Sequence, residues 1–175
     1  MHEPSSAPIF GIPEIALIRS CTSMCNNITC SYYAYSHNSE YLLYPDGRTP
    51  YRKLESDGTF KKLHVLRELK ELRVTRVEYL LVKAIVVCNG AAEQLSEKAK
   101  TVIQAEREKY AQALMACLMA TRGPSEAPSA FAAFIGLLDV LYRQACRFCE
   151  YGLLVTALNL KPKSRLGVEM SINNS

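Results

Sequence analysis

The residues best able to do chemistry in this chain of 175 residues are seven cysteines and three histidines. Two cysteine groups have spacings that suggest a metal site: Cys21, Cys25 and Cys30 near the start, and Cys146 with Cys149 near the end. On a helix that turns about 100° per residue, Cys21 and Cys30 point in opposite directions and cannot share one ion. Cys146 and Cys149 would be neighbours, but no second pair completes four ligands. We therefore expect no metal and no cofactor.

The spacing of the histidines does not support hydrolytic catalysis. His2, His37 and His64 lack the HExxH pattern of zinc proteases, and the chain has neither a G-x-S-x-G elbow nor a glycine-rich phosphate loop. No strand–helix–strand pattern surrounds the Cys146-x2-Cys149 pair to support redox chemistry, although a thiol activity stays open as an alternative. We therefore expect a protein that is not an enzyme.

Composition places the chain among globular proteins with one well-cored domain, since 49% of its residues are hydrophobic and its formal net charge is only +4. The apolar runs 113–120 and 130–138 are much shorter than the ~20 residues that span a bilayer, and the N-terminus lacks the basic region of a signal peptide. An odd number of cysteines, mostly within helical patterns, predicts reduced thiols inside the cell. The basic stretch 48–76 lacks interleaved aromatic residues, which favours a solvated helical face over nucleic-acid binding.

The first predicted element is a helix that begins at Pro13, where the missing N–H of proline is not needed, and Glu14 favours the positive end of the helix dipole. Apolar residues then recur in steps of three and four, which predicts one buried stripe: Ile18, Cys21, Cys25, Ile28, Tyr32 and Tyr35. The neighbouring stripe is polar or small and would face either water or a cavity: Arg19, Thr22, Asn26, Cys30 and Tyr33.

Later segments predict a turn and further helices. Pro45-Asp46-Gly47 lies between two β-favouring runs and predicts a small hairpin. Thr75 and Glu78 form a capping box before a helix that reaches about residue 88 and is apolar on most sides, which predicts a place in the middle of a stack. Ser96 begins a long helix to about residue 121, and a last helix runs from about 129 to about 160. The pattern predicts an all-α domain.

The order of four of these segments, FGIPEIALIRS, YLLYPDG, VEYLLVKAIVVCN and LSEKAKTVIQAEREKYAQAL, resembles the ligand-binding domain of nuclear hormone receptors. The similarity is to the divergent invertebrate branch related to the hepatocyte-nuclear-factor and retinoid X types. It implies a three-layer antiparallel helical sandwich with one small β-hairpin. Residues 1–12 would be a flexible tail and residues 13–172 a partial domain, helices 4/5 to 12 of the family. Without most of the family's helix 3, apolar surface would be exposed.

The resemblance implies a small lipophilic ligand in a cavity between the family's helices 3, 5 and 11 and the hairpin. Carried over by position, the lining comes from the polar stripe, the hairpin and the last helix: Thr22, Asn26, Cys30, Tyr33, Leu43, Tyr44, Phe148, Tyr151 and Gly152.

The segment RLGVEM resembles the family's terminal activation helix, which implies binding of LxxLL-type coregulators. Glu169 would accept from the N-terminus of the LxxLL helix, Arg19 would contact its other end, and Leu166 and Met170 would line the groove between them. Such a charge clamp uses the two ends of a helix dipole.

The last long helix has a wide apolar surface that suggests a shared interface, which we place at Ile135, Asp139 and Tyr142. The resemblance then implies a nuclear protein that regulates transcription through ligand, coregulator and a homo- or heterodimer with nuclear receptors. No double zinc finger precedes the fold, so we expect no direct DNA binding, and the shortness of the apolar runs predicts no membrane association. The alternative is a dimer-only partial receptor, or a gene fragment, that binds no ligand and titrates partner receptors.

Overall fold

The computed structural model describes residues 12–49, 64–88 and 95–157, and these residues form five α-helices with no strand among them. The bounds, in chain order, are α1 Ile12–Ser36, α2 His64–Leu72, α3 Arg76–Val87, α4 Glu97–Arg122 and α5 Ala127–Ala157. The predicted all-α fold is confirmed. Where the sequence predicts a helix end, the observed end lies within about three residues of it, whereas α2 has no predicted bounds.

Local sequence determines where two of the helices begin. The hydroxyl of Thr75 accepts a hydrogen bond from the backbone N–H of Glu78, and the Glu78 carboxylate accepts one from the backbone N–H of Thr75 at 2.7 Å. Ser96 caps α4 by accepting from the N–H of Ala99 at 3.2 Å. Both caps satisfy amides that have no partner within the helix, and both were predicted from the sequence.

The five helices share one main hydrophobic core. Helix α1 packs against α2, α3 and α5, while α4 lies against α3 and α5. The stripe predicted for α1 is buried at Cys21 and Ile28, and the ring of Tyr32 stacks on that of Tyr79 in α3 with centroids 3.9 Å apart. Ile18 departs from the prediction because its side chain is exposed.

Helix α3 is buried on one side only, which corrects the expectation that it lies in the middle of a stack. Tyr79, Val82 and Val86 are buried toward α1 and α4, whereas Val77 and Leu80 are 56% and 51% exposed. No other helix of the described chain packs extensively on that side. The outer side of α3 is therefore the kind of exposed apolar surface expected of a partial domain.

Residues 41–49 contain a tight turn where the sequence predicts a hairpin. The N–H of Tyr44 donates to the carbonyl of Arg48 at 2.9 Å, and Gly47 adopts the positive φ of 82° that glycine tolerates. No strand is present in this described segment, and the predicted second arm lies outside the described residues from position 50 onward. Most of the predicted tail 1–12 and the segment 158–172 also lie outside them.

Candidate functional site

The predicted polar stripe of α1 is not uniform in its surroundings. Thr22 is half-buried and its hydroxyl donates to the carbonyl one turn earlier. Asn26 is exposed, and its side-chain oxygen accepts from the Cys30 thiol at 3.7 Å. Cys30 is buried, and burial raises the pKa of its thiol to about 12. Tyr33 is half-buried. Of these four residues only Cys30 is buried, as a residue that lines a closed cavity would be.

The turn approaches the same helix. The N–H of Leu43 donates to the carbonyl of Cys30 at 3.4 Å, and the side chains of Leu43 and Tyr44 are half-buried. The structure thus brings the turn together with one residue of the predicted lining. Phe148, Tyr151 and Gly152 occupy the C-terminal third of α5, and their side chains lie outside the described part.

A buried polar link between α1 and α5 was not anticipated from the sequence. Asn27, next to the predicted Asn26, is only 3% exposed. Its side-chain oxygen accepts from Nε2 of Gln144 at 3.1 Å and from the hydroxyl of Ser31 at 3.5 Å. Its Nδ2 is enclosed and has no hydrogen-bond partner in the described structure. The available signal was the Asn27-x3-Ser31 spacing, which places two polar groups on one helical face.

A second buried polar cluster, formed by Glu78 and Arg122, connects the ends of several helices. Glu78 is fully buried, and its carboxylate accepts from Arg122 at 2.8 Å in addition to the N–H of Thr75. Arg122 also donates to the carbonyl of Leu72 at 3.0 Å, and its guanidinium lies 5.7 Å from the ring centroid of Phe134. One arginine side chain therefore contacts groups from α2, α3 and α5, and it holds the ends of several helices together.

The cysteines do not form a metal site in the part of the chain that the structure covers. Six of them are free thiols there, and no cluster of three or more metal-ligating side chains is found among the described residues. Cys21 and Cys25 lie one turn apart, and the hydrogen bond with Cys25 lowers the pKa of Cys21 to about 7. Cys146 is half-buried, and the side chain of Cys149 is not among those described.

The outer side of α5 exposes three large apolar side chains, those of Ile135, Tyr142 and Leu153. Ile135 is 45% exposed and Tyr142 is 58% exposed, and Asp139 between them forms an exposed ion pair with Arg143 at 2.6 Å. The three predicted interface residues lie within about 60° of one another around the helix axis. The opposite side is buried at Phe134, Leu137 and Leu141.

Little of the predicted coregulator site lies within the described residues. Arg19 belongs to α1, but its side chain is not described, and Leu166, Glu169 and Met170 lie outside the described residues.

Among the described helices, none is long and apolar enough to cross a membrane.

Comparisons with known proteins agree on one family. Residues 16–155 match the sequence model of the ligand-binding domain of nuclear hormone receptor. The chain is 35% identical over 144 residues to nuclear hormone receptor family member nhr-60 of Caenorhabditis elegans, which covers 82% of this chain and 32% of that protein. It is 31% identical over 159 residues to family member nhr-136 of the same organism, covering 87% of this chain and 37% of that protein. The chain thus spans about a third of the length of these relatives.

Proposed function

The chain belongs to the nuclear hormone receptor ligand-binding domains, and from this premise we propose that it regulates transcription in the nucleus by pairing with nuclear receptors through α5. A small lipophilic ligand held near α1 and α5, and coregulators bound at Arg19 and Glu169, would control that activity. The family consists in general of transcription regulators without enzymatic activity, and a non-catalytic role for this chain follows from the proposal.

The outer side of α5 carries the proposal. A helix of 31 residues that is buried on one side and exposes Ile135 and Tyr142 on the other has an apolar surface suited to a second protein. In a symmetric dimer the same patch meets its own copy, so that one contact is made twice. The ion pair of Asp139 with Arg143 lies beside the apolar residues and would form part of the polar rim of such an interface.

Ile135→Lys tests the pairing. A lysine at the centre of the interface would have to lose its hydration, so we expect self-association of the full chain to weaken at least about tenfold. Sedimentation equilibrium measures this directly. The control is Ala133→Lys, which adds the same charge at an exposed position about 160° from Ile135 around α5. A wild-type chain that is strictly monomeric, or equal weakening by both variants, would contradict self-association through this surface.

Glu169→Lys tests the coregulator site. The carboxylate is proposed to accept from free N–H groups at the start of an LxxLL helix, and a lysine there would repel the same helix end. We expect affinity for a fluorescent LxxLL peptide to fall about tenfold, as measured by polarisation. Glu150→Lys, at an exposed position of α5, makes the same charge change and should leave binding intact. Equal affinity of the wild type and Glu169→Lys for the peptide would contradict the proposed charge clamp.

A dimer-only regulator is the second candidate, and the exposed apolar side of α3 favours it. No helix among the described residues covers Val77 and Leu80, and without cover on this side an internal ligand cavity would have less support. Native mass spectrometry of the purified chain separates the two candidates. A dimer that carries a lipid-sized mass supports ligand binding, and a dimer without added mass supports the dimer-only role.

A redox activity is a further alternative. Thiol turnover that is lost in Cys146→Ser would indicate it.

A further inference from the structure

The apolar side chains on the outer side of α3 have the spacing of a coiled-coil seam. They follow one another in steps of three, four and three, which is the a/d pattern of two heptads: Val77, Leu80, Ala84 and Val87. Three of them are exposed and Ala84 is half-buried. Helices α1 and α4 pack on the other side of α3, and no helix of the described chain packs extensively on this seam. Its spacing is suited to contact with one further α-helix.

Two basic side chains border the seam on the side of α1. Arg76 and Lys83 each occupy the g position, directly before an a residue of the seam. The Nζ of Lys83 lies 5.9 Å from the ring centroid of Tyr79, and Tyr79 stacks on Tyr32 of α1. Neither Arg76 nor Lys83 has a carboxylate partner among the described residues, and the single carboxylate of α3, Glu78, is buried. This edge of the seam is therefore positively charged.

The other edge of the seam, beside α4, has charges of both signs. Glu106 and Arg107 both lie within electrostatic range of Cys88 at the C-terminal end of α3. Glu106 is also paired with Lys109 on its own helix. The unpaired positive charge on the α1 side is therefore the feature that distinguishes one kind of partner from another.

Charge decides between a second copy of this chain and a different partner. In a symmetric dimer about an axis perpendicular to α3, the two helices are antiparallel and their g positions face each other. Arg76 of one copy would then lie beside Lys83 of the other, and such like charges disfavour association. Acidic side chains at the same place would favour it.

We infer that the outer side of α3 binds an amphipathic helix of a different protein, whose apolar residues follow the a/d spacing and whose edge next to Arg76 and Lys83 is acidic. Helix α3 has 12 residues, so the contact extends over about 18 Å and should be weak and reversible. This surface is separate from the one on α5 through which we propose that the chain pairs with nuclear receptors.

Three stapled helical peptides of two heptads test the inference on the full chain. Each has leucine at a and d, and they differ only at e and g, where they carry glutamate, glutamine or lysine. Two surface ion pairs should make the glutamate peptide bind about fivefold more tightly than the glutamine peptide, measured by fluorescence polarisation. The double variant Arg76→Glu with Lys83→Glu should instead prefer the lysine peptide. Lys70→Glu with Arg147→Glu makes the same charge change on α2 and α5 and should keep the glutamate preference.

A second pair of variants tests the apolar seam. Leu80→Ser removes apolar area from its centre and should weaken binding of the glutamate peptide about fivefold, whereas Leu153→Ser, at an exposed position of α5, should not. Ile135→Lys, which tests pairing through α5, should bind the peptides as the wild type does.

Each contrary outcome overturns a defined part of the inference. Equal affinity of the wild type for the three peptides, or a glutamate preference that persists in the double variant, overturns the acidic class of partner. Equal affinity of Leu80→Ser and Leu153→Ser overturns the seam. Failure of all three peptides to bind overturns the docking surface. Self-association that weakens in Leu80→Ser would assign the surface to a second copy and would also overturn the inference.

Discussion

The two buried polar clusters of this domain differ in how completely their hydrogen bonds are satisfied. Around Glu78, both carboxylate oxygens accept hydrogen bonds, one from Arg122 and the other from the backbone of Thr75. Around Asn27, the side-chain oxygen has two donors, and the nitrogen has no acceptor among the described residues. Both clusters join helices that are distant in sequence. Among the described residues, only the first has partners for every polar atom of its buried carboxylate or amide.

This difference determines how much each cluster contributes to the stability of the fold. A charged group that is fully enclosed must be paired, because an unpaired charge in the core would destabilise the fold severely. A neutral amide with one N–H that lacks an acceptor is tolerated at lower cost. The Glu78 cluster therefore stabilises the helix ends, and the Asn27 cluster contributes less to stability. Substitutions in the two clusters should accordingly change stability by very different amounts.

The largest effect is expected from Arg122→Met. Methionine retains an unbranched stem beside Phe134 but leaves the carboxylate of Glu78, which is fully buried, without its cation. We expect the free energy of unfolding to fall by about 3–5 kcal/mol, measured by urea denaturation followed by circular dichroism.

Arg67→Met is the matched control, because Arg67 pairs with Glu68 and Glu71 on the exposed side of α2 and should lose less than about 1 kcal/mol. The double variant Glu78→Gln with Arg122→Met should recover part of the loss, since no buried charge remains. A loss in Arg122→Met no larger than that in the control would show that the Glu78 cluster does not stabilise the domain.

Much of the fold could be predicted from the sequence because the signals for it are local. The steps of three and four in α1, the capping box at Thr75 and the cap at Ser96 each depend on residues within a few positions of one another. The buried side of α3 could not be predicted in the same way. Val77 and Tyr79 are both apolar, and a helix that is apolar on most sides gives no periodic signal to choose between them.

The candidate site was less predictable because its contacts are long-range. Asn26 and Asn27 differ by about 100° around α1, and only the packing of α5 determines which of them is buried. Glu78 and Arg122 are 44 positions apart, so their pairing has no local signal beyond a carboxylate in an apolar helix. By contrast, the exposure of Ile135, Asp139 and Tyr142 on one side of α5 follows from the helical period alone, and their role as an interface stays a prediction.

A smaller effect is expected from Gln144→Leu, which acts on the incomplete cluster. Asn27 keeps the hydrogen bond from Ser31, and a half-buried leucine gains contact with the apolar core, so the free energy of unfolding should change by less than about 1 kcal/mol. Gln112→Leu, at an exposed position of α4, is the matched control. A loss above about 3 kcal/mol, comparable to that expected for Arg122→Met, would mean that the link between Asn27 and Gln144 is structural. A link of that strength would hold α1 and α5 together, so that the Asn27 cluster would stabilise the domain as much as the Glu78 cluster does.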